Sequence, residues 1–260
     1  MVNERIIPTL YFSLAPFIHA ARFEKSIIIL NSKTDQYISL IDEAASCFQY
    51  VVSHGFYKTE AEEYICADQS NTIHMSVEEL TSWINYFLDN QYIVLGTQLT
   101  LLPSPLKDGG LIDYAWDMKQ AWHPFSQAST FSIVEAFFML KWVHKSMKNN
   151  GVKEIFDLIN TNSQKKKLTD PSAEDIQKLS AAVDAASIVY WNKTFCFAWA
   201  TTYVLLALKR GWDVRLAIGV QTNPFYAHAW AESLEVKVIN DNPVVAEVLS
   251  IICTAPYRYE

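Results

Sequence analysis

The run from residue 194 to residue 243 constrains the fold most, because it commits the chain to one helix followed directly by short strands. Thr194 or Phe195 opens the helix, and Gly211 follows Lys209 and Arg210 as a helix-ending glycine. Val214 to Val220 then reads as a strand. Phe225 to Glu232 alternates as a second strand, with Asn223-Pro224 marking the connection. Val236 to Ile239 reads as a third, with Asp241 at its end. The second and third are read as antiparallel neighbours if the turn falls near Ser233-Leu234-Glu235. The expected class is therefore α+β.

Upstream, two prolines and two glycines between Pro103 and Gly110 form the strongest linker signal. This predicts a domain over residues 1–103, a connection over 104–127 and a second domain over 128–260. In the first, Phe23 to Leu30 reads as a strand, Ser32 to Asp35 as a turn and Gln36 to Ile41 as a half-buried strand. Asp42 is the expected cap of a helix that buries Ala45, Phe48, Val51 and Val52 and stops near Gly55. Ser76 and Glu79 make a capping box ahead of Leu80, Ile84 and Phe87, which recur at helical spacing with Trp83 beside them. Ile93 to Leu95 and Leu99 to Leu102 suggest a short hairpin about Gly96. Beyond the linker, Ile133, Phe137, Leu140 and Val143 fall on one helix, and Val152 to Ile159 forms a second. Asp170-Pro171 opens a third, with Leu179, Val183 and Ala186 in its buried stripe.

Half of the 260 residues are apolar, enough for a core without disulfide staples. The net charge of -7 and the lack of any basic run beyond Lys165 to Lys167 argue against nucleic-acid binding. No secretory signal pattern opens the chain, and Phe195 to Leu208 is too short to span a bilayer, so a cytoplasmic location is expected. Cys47, Cys66, Cys196 and Cys253 show no metal-ligand spacing; no metal is expected. Cys47 and Cys253 read as packing residues, and His123 and His144 as a loop residue and a helix-end residue.

Cys196 falls in the first turn of its helix, where unpaired amides and the positive dipole end favour a thiolate. A free thiol is only about 3% ionised at neutral pH, so a nucleophile needs such help. His228 lies mid-strand between Ala227 and Ala229, which leave room around its ring. A turn near Ser233-Leu234-Glu235 would bring Asp241 beside it, leaving one ring nitrogen for the thiol. Glu232 competes as the orienting carboxylate, but it lies about 13 Å along the strand from His228. Each of the three also has a plain structural reading: a small core residue, a satisfied core histidine, a turn residue before Pro243. Their chain order, Cys on a helix and then His and Asp on strands, matches papain-like and transglutaminase-like cores.

The run "CFAWATTYVLLALKRGWDVRLAIGVQTNPFYAHAWAESLEVKVINDNP" resembles the leader peptidases of lasso-peptide biosynthesis, the B proteins. The matching motifs are Cys196 at a helix start, Leu216 to Val220, Pro224 to Trp230 and Val238 to Pro243. Family members commonly carry a glycine pair between the His and Asp strands, where this chain has Ser233-Leu234-Glu235. The resemblance implies a papain-like or transglutaminase-like cysteine peptidase domain with Cys196, His228 and Asp241 as its triad. "KSIIILNSKTDQYISLIDEAA" with its following helix is similar to the small winged-helix-like element that binds leader peptides. By that likeness a leader would add to the strand Gln36, Tyr37, Ile38 and Ser39 and pack on Leu80, Trp83, Ile84 and Phe87. The family implies a lasso precursor and an asparagine-synthetase-like cyclase as partners, and dependence on ATP. No cofactor is evident in the sequence, which has no nucleotide-binding loop. A non-catalytic leader-binding chaperone and an acyltransferase with the same triad are the alternatives.

Overall fold

The computed structural model describes residues 9–68, 75–103, 127–164 and 167–256. The chain divides into two compact units, residues 1–31 with 36–103 and residues 32–35 with 104–260.

The first unit runs β1 (Leu10–Leu14), β2 (Ile18–Arg22), β3 (Ser26–Asn31), β4 (Gln36–Ile41), α1 (Asp42–Ser53), β5 (Gly55–Lys58), β6 (Tyr64–Cys66), α2 (Val77–Asp89) and β7 (Ile93–Gly96). One sheet has the order β2-β3-β4 and the other β6-β5-β1-β7. The strand expected to begin at Phe23 begins at Ser26, because the Phe23 amide closes a turn onto the Ser26 carbonyl at 2.7 Å. Asp42 does not cap α1. It is the first helical residue, with φ at 48°, and no side chain caps the preceding Ile41. Ser76 and Glu79 do form a reciprocal capping box. The hairpin expected about Gly96 is absent: β7 pairs instead with β1, from Leu14 opposite Ile93 to Tyr11 opposite Gly96. Phe12, Phe48, Phe56 and Phe87 meet at the centre of this unit, with Phe48 and Phe87 edge to face at 5.0 Å.

The second unit runs α3 (Thr130–Gln164), α4 (Ala173–Val189), α5 (Cys196–Arg210), β8 (Val214–Thr222), β9 (Phe225–Ser233), α6 (Val244–Val248) and β10 (Ser250–Ala255). Gly151 breaks α3 into two helices at φ 70° and ψ -172°, a conformation open to glycine. Ser172, not Asp170, caps α4, in a box with Asp175, and Pro171 stays outside the helix. In α5 every residue from Ala198 to Leu208 is buried, and α4 is buried all round from Leu179 to Ser187. Helices with no polar face belong in an interior. The helix α5 accordingly packs against α3 and α4 as well as against β8 and β9. It ends at Gly211, whose φ of 83° lets its amide reach back to Ala207 and Leu208.

The third strand of the C-terminal sheet is not the one expected. Residues 236–239 form no ladder; a single bridge joins Ile239 to Ala231, with the Ile239 amide 2.8 Å from the Ala231 carbonyl. Ser233 first closes a turn on Val236, and Asn240 then enters left-handed backbone at φ 56°. Too little extended chain lies between these bends for a strand. The place is taken by β10, which pairs along the far edge of β8 in the order β10-β8-β9. Among the described residues no helix is long and apolar enough to cross a membrane.

Candidate active site

Cys196 is the first residue of α5, partly exposed, and no side chain caps the preceding Phe195. The first-turn amides therefore keep their capacity to meet negative charge. His228 stands in the middle of β9, where its partner across the ladder is Gly219 of β8. A Cβ on Gly219 would lie within 3 Å of Leu249 and of the Trp230 ring, so the sheet beside His228 accepts no side chain there. Trp230 and Tyr226 lie two residues either side of His228 on the same strand face, with rings nearly parallel to it at 6.2 and 6.0 Å. The imidazole thus sits in an aromatic slot that fixes its plane.

The polar contacts fix its direction. Nε2 of His228 lies 2.7 Å from Oδ2 of Asp241, and Cys196 lies near enough to the same ring to favour its proton. The Tyr226 hydroxyl is 3.4 Å from Nδ1. His228 is 1% exposed, and burial alone would drive off its proton. The hydrogen bonds and charges of Asp241 and Cys196 outweigh that burial and raise the ring's pKa to about 9. The ring is therefore an imidazolium at neutral pH, able to stabilise a thiolate and to give a proton to a leaving group.

The turn that brings Asp241 here differs from a glycine pair. The Ser233 hydroxyl accepts from the Val236 amide at 3.1 Å, and the Ser233 amide donates to the Val236 carbonyl at 2.9 Å. A serine side chain thus supplies the turn closure. Glu232, the competing carboxylate, is occupied elsewhere: it pairs with Arg215 on β8 and accepts from the Trp230 indole at 3.0 Å.

Three further residues join the site from outside the expected set. Asp184, buried in α4, accepts the indole N–H of Trp199 at 2.8 Å and the Asn240 amide at 3.1 Å. Its signal in the sequence is a lone carboxylate in the otherwise small and apolar run "LSAAVDAASIV". Such a charge inside a helix with no polar face requires partners.

The other cysteines do not share this setting. Burial pushes the Cys47 thiol up to about 12 and the Cys253 thiol higher still, which makes both poor nucleophiles. Cys66 donates to the Asp68 carbonyl at 3.4 Å. His144 rests half-buried against the Tyr190 ring, its pKa lowered by burial. His123, Lys165 and Lys166 lie outside the described residues.

In the first unit, Leu80, Ile84 and Phe87 are buried in the core rather than lining a surface groove, because α2 turns that face inward over α1. Trp83 is partly buried, stacked on Phe87, and Tyr86 beside it is exposed. Gln36, Tyr37 and Ser39 are exposed on β4, an outer strand of its sheet, with Ile38 half-buried.

Residues 147–254 match the transglutaminase-like superfamily, whose domain therefore contains α4, α5, the three-stranded sheet and all three candidate residues. The chain is also 23% identical over 172 residues to the Microcin J25-processing protein McjB of Escherichia coli, covering 65% of this chain and 77% of that protein. These similarities agree with the resemblance of the motif run to the lasso-peptide biosynthesis B proteins. No solved structure matches it.

Proposed function

We propose that this protein is a leader peptidase of lasso-peptide maturation, with Cys196 as nucleophile, His228 as general acid and base, and Asp241 as the carboxylate that orients the ring. The observation that carries the reading is the buried His228 ring held at 2.7 Å by Asp241, with Cys196 at a helix start near enough to favour its proton. The Cys196 thiolate attacks the carbonyl of the last leader residue. Amides at the start of α5 stabilise the oxyanion, an effect worth about 3–4 kcal/mol where single donors have been removed from other enzymes. His228 gives its proton to the departing amine, the new N-terminus of the core, and the C–N bond breaks. The ring then takes a proton from water, which hydrolyses the thioester and frees the leader. The amine so released is what a partner cyclase consumes.

In the same proposal a winged-helix-like first unit recognises the leader. Exposed Gln36, Tyr37 and Ser39 on β4 support strand addition there, and Trp83 and Tyr86 offer aromatic surface on α2. ATP dependence and the asparagine-synthetase-like cyclase come from family likeness alone, so the assay includes both. A second reading, acyl transfer through the same thioester, draws on the superfamily match.

The test is purified protein with a lasso precursor peptide, with and without ATP and cyclase, followed by product mass. Separate leader and core masses are expected, and none from Cys196→Ala. Leader release that continues unchanged in Cys196→Ala would overturn the mechanism. A leader carrying an added acyl acceptor would favour the second reading.

A further inference from the structure

Asp184 has no place in the chemistry above, yet it touches the two segments that carry it. One of its oxygens, Oδ1, accepts from Trp199 Nε1 at 2.8 Å and from Asn240 Nδ2 at 3.1 Å. Trp199 lies three residues into α5 from Cys196, and its amide closes the first helical hydrogen bond, to the Phe195 carbonyl at 3.0 Å. Asn240 is the residue before Asp241 and holds left-handed backbone at φ 56°, a conformation asparagine tolerates better than most residues. Asp184 itself is 2% exposed and carried by α4.

We propose that Asp184 is the positioning residue of the site, tying the start of the nucleophile helix and the Asn240–Asp241 bend to one carboxylate so that Cys196 and Asp241 both reach the His228 ring. The inference rests on the reading of these three residues as a triad. Backbone hydrogen bonds among the described residues hold residues 236–241 only at the Ser233–Val236 turn and the bridge at Ile239, so Asn240 and Asp241 themselves rely on side-chain ties. A charged acceptor suits the task, because hydrogen bonds to an ionised oxygen are stronger and shorter than neutral ones. The groups that meet the ring are Tyr226 on its own strand, Cys196 from α5 and Asp241 from the bend. Asp184 acts on the ring only through the last two.

The experiment swaps the partners. Asn240→Asp sets two carboxylates against each other while keeping a residue that accepts left-handed backbone. Adding Asp184→Asn to it restores a donor–acceptor pair in the reverse sense and leaves an amide oxygen for Trp199. The readout is iodoacetamide labelling of Cys196 in the full chain, resolved from Cys66 by peptide mass spectrometry, with thermal unfolding as the check on the fold. For Asn240→Asp we expect labelling at pH 6.5 to slow by about ten-fold, the size of one lost charged hydrogen bond, with little change at pH 10. The double variant should return to within about two-fold of wild type. Wild-type labelling by Asn240→Asp at pH 6.5, or a double variant no faster than the single, would overturn the proposal. The swap cannot be rescued by general stability, and Asn240 is partly exposed, so the single variant can fold even where Asp184→Asn alone does not. Failure of the peptidase reading shows separately, as leader release that survives Cys196→Ala.

Discussion

Asp241→Asn should cost stability in a way that depends on pH, and the size follows from the buried ring. The folded protein raises His228 from 6.5 to about 9, which is about 3 kcal/mol of preference for the charged ring. Below pH 6.5 the ring is protonated in both folded and unfolded chains, and the whole of that preference stabilises the fold. Between 6.5 and 9 the unfolded chain releases its proton first, and the contribution declines. Above 9 the ring is neutral in both states and the contribution is gone. Asp241→Asn removes the charged acceptor at 2.7 Å while burial continues to oppose the proton. The gap between wild type and variant should therefore be about 2–3 kcal/mol at pH 6 and shrink steadily to pH 9.5. Urea unfolding followed by tryptophan fluorescence at pH 6, 7.5 and 9.5 measures it, read on the transition that the substitution moves. A gap that is constant across this range, or wider at pH 9.5, would refute the reasoning.

Three other outcomes can be checked with the same unfolding measurements. Gly219→Ala places a Cβ 2.7 Å from the Leu249 Cβ and 2.8 Å from the Trp230 ring, so it should destabilise the second unit by about 1–3 kcal/mol. Gly211→Ala meets no atom within 4 Å, so its cost should be the left-handed backbone alone, about 1 kcal/mol, and Gly211→Asn should cost less. Burial lowers His19 to about 4, so the first unit should lose on the order of 3 kcal/mol as pH falls from 6.5 to 4 while the unfolded chain takes up the proton first; His19→Gln should flatten that part of the curve.

Local patterns in the chain carry much of the architecture. The apolar run after Cys196, closed by Gly211, specifies a buried helix whatever surrounds it. The Ser76 and Glu79 capping box and the alternation in Phe225 to Glu232 likewise depend only on near neighbours, and α2 and β9 form where they indicate. Cys196 and His228 are legible for the same reason, since each sits on an element that its own neighbours specify. Asp241, by contrast, is placed by the sequence at the end of a strand that does not form, and it reaches the ring through the bends at Ser233 and Asn240.

What could not be read locally was pairing and partnership. Residues 236–239 have the composition of a strand, but the bends at Ser233 and Asn240 leave them one bridge, and β10 takes the far edge of the sheet. β7 likewise prefers β1, more than seventy residues earlier, to the segment just after it. Leu80, Ile84 and Phe87 have the spacing of a helix face, which is the same whether that face meets a core or a ligand; only the packing over α1 turns it inward. Asp184 illustrates the limit most clearly. A lone carboxylate in a small-residue helix announces that it needs partners, but Trp199 and Asn240 reach it from 15 and 56 residues away, and only the folded chain brings them to one oxygen.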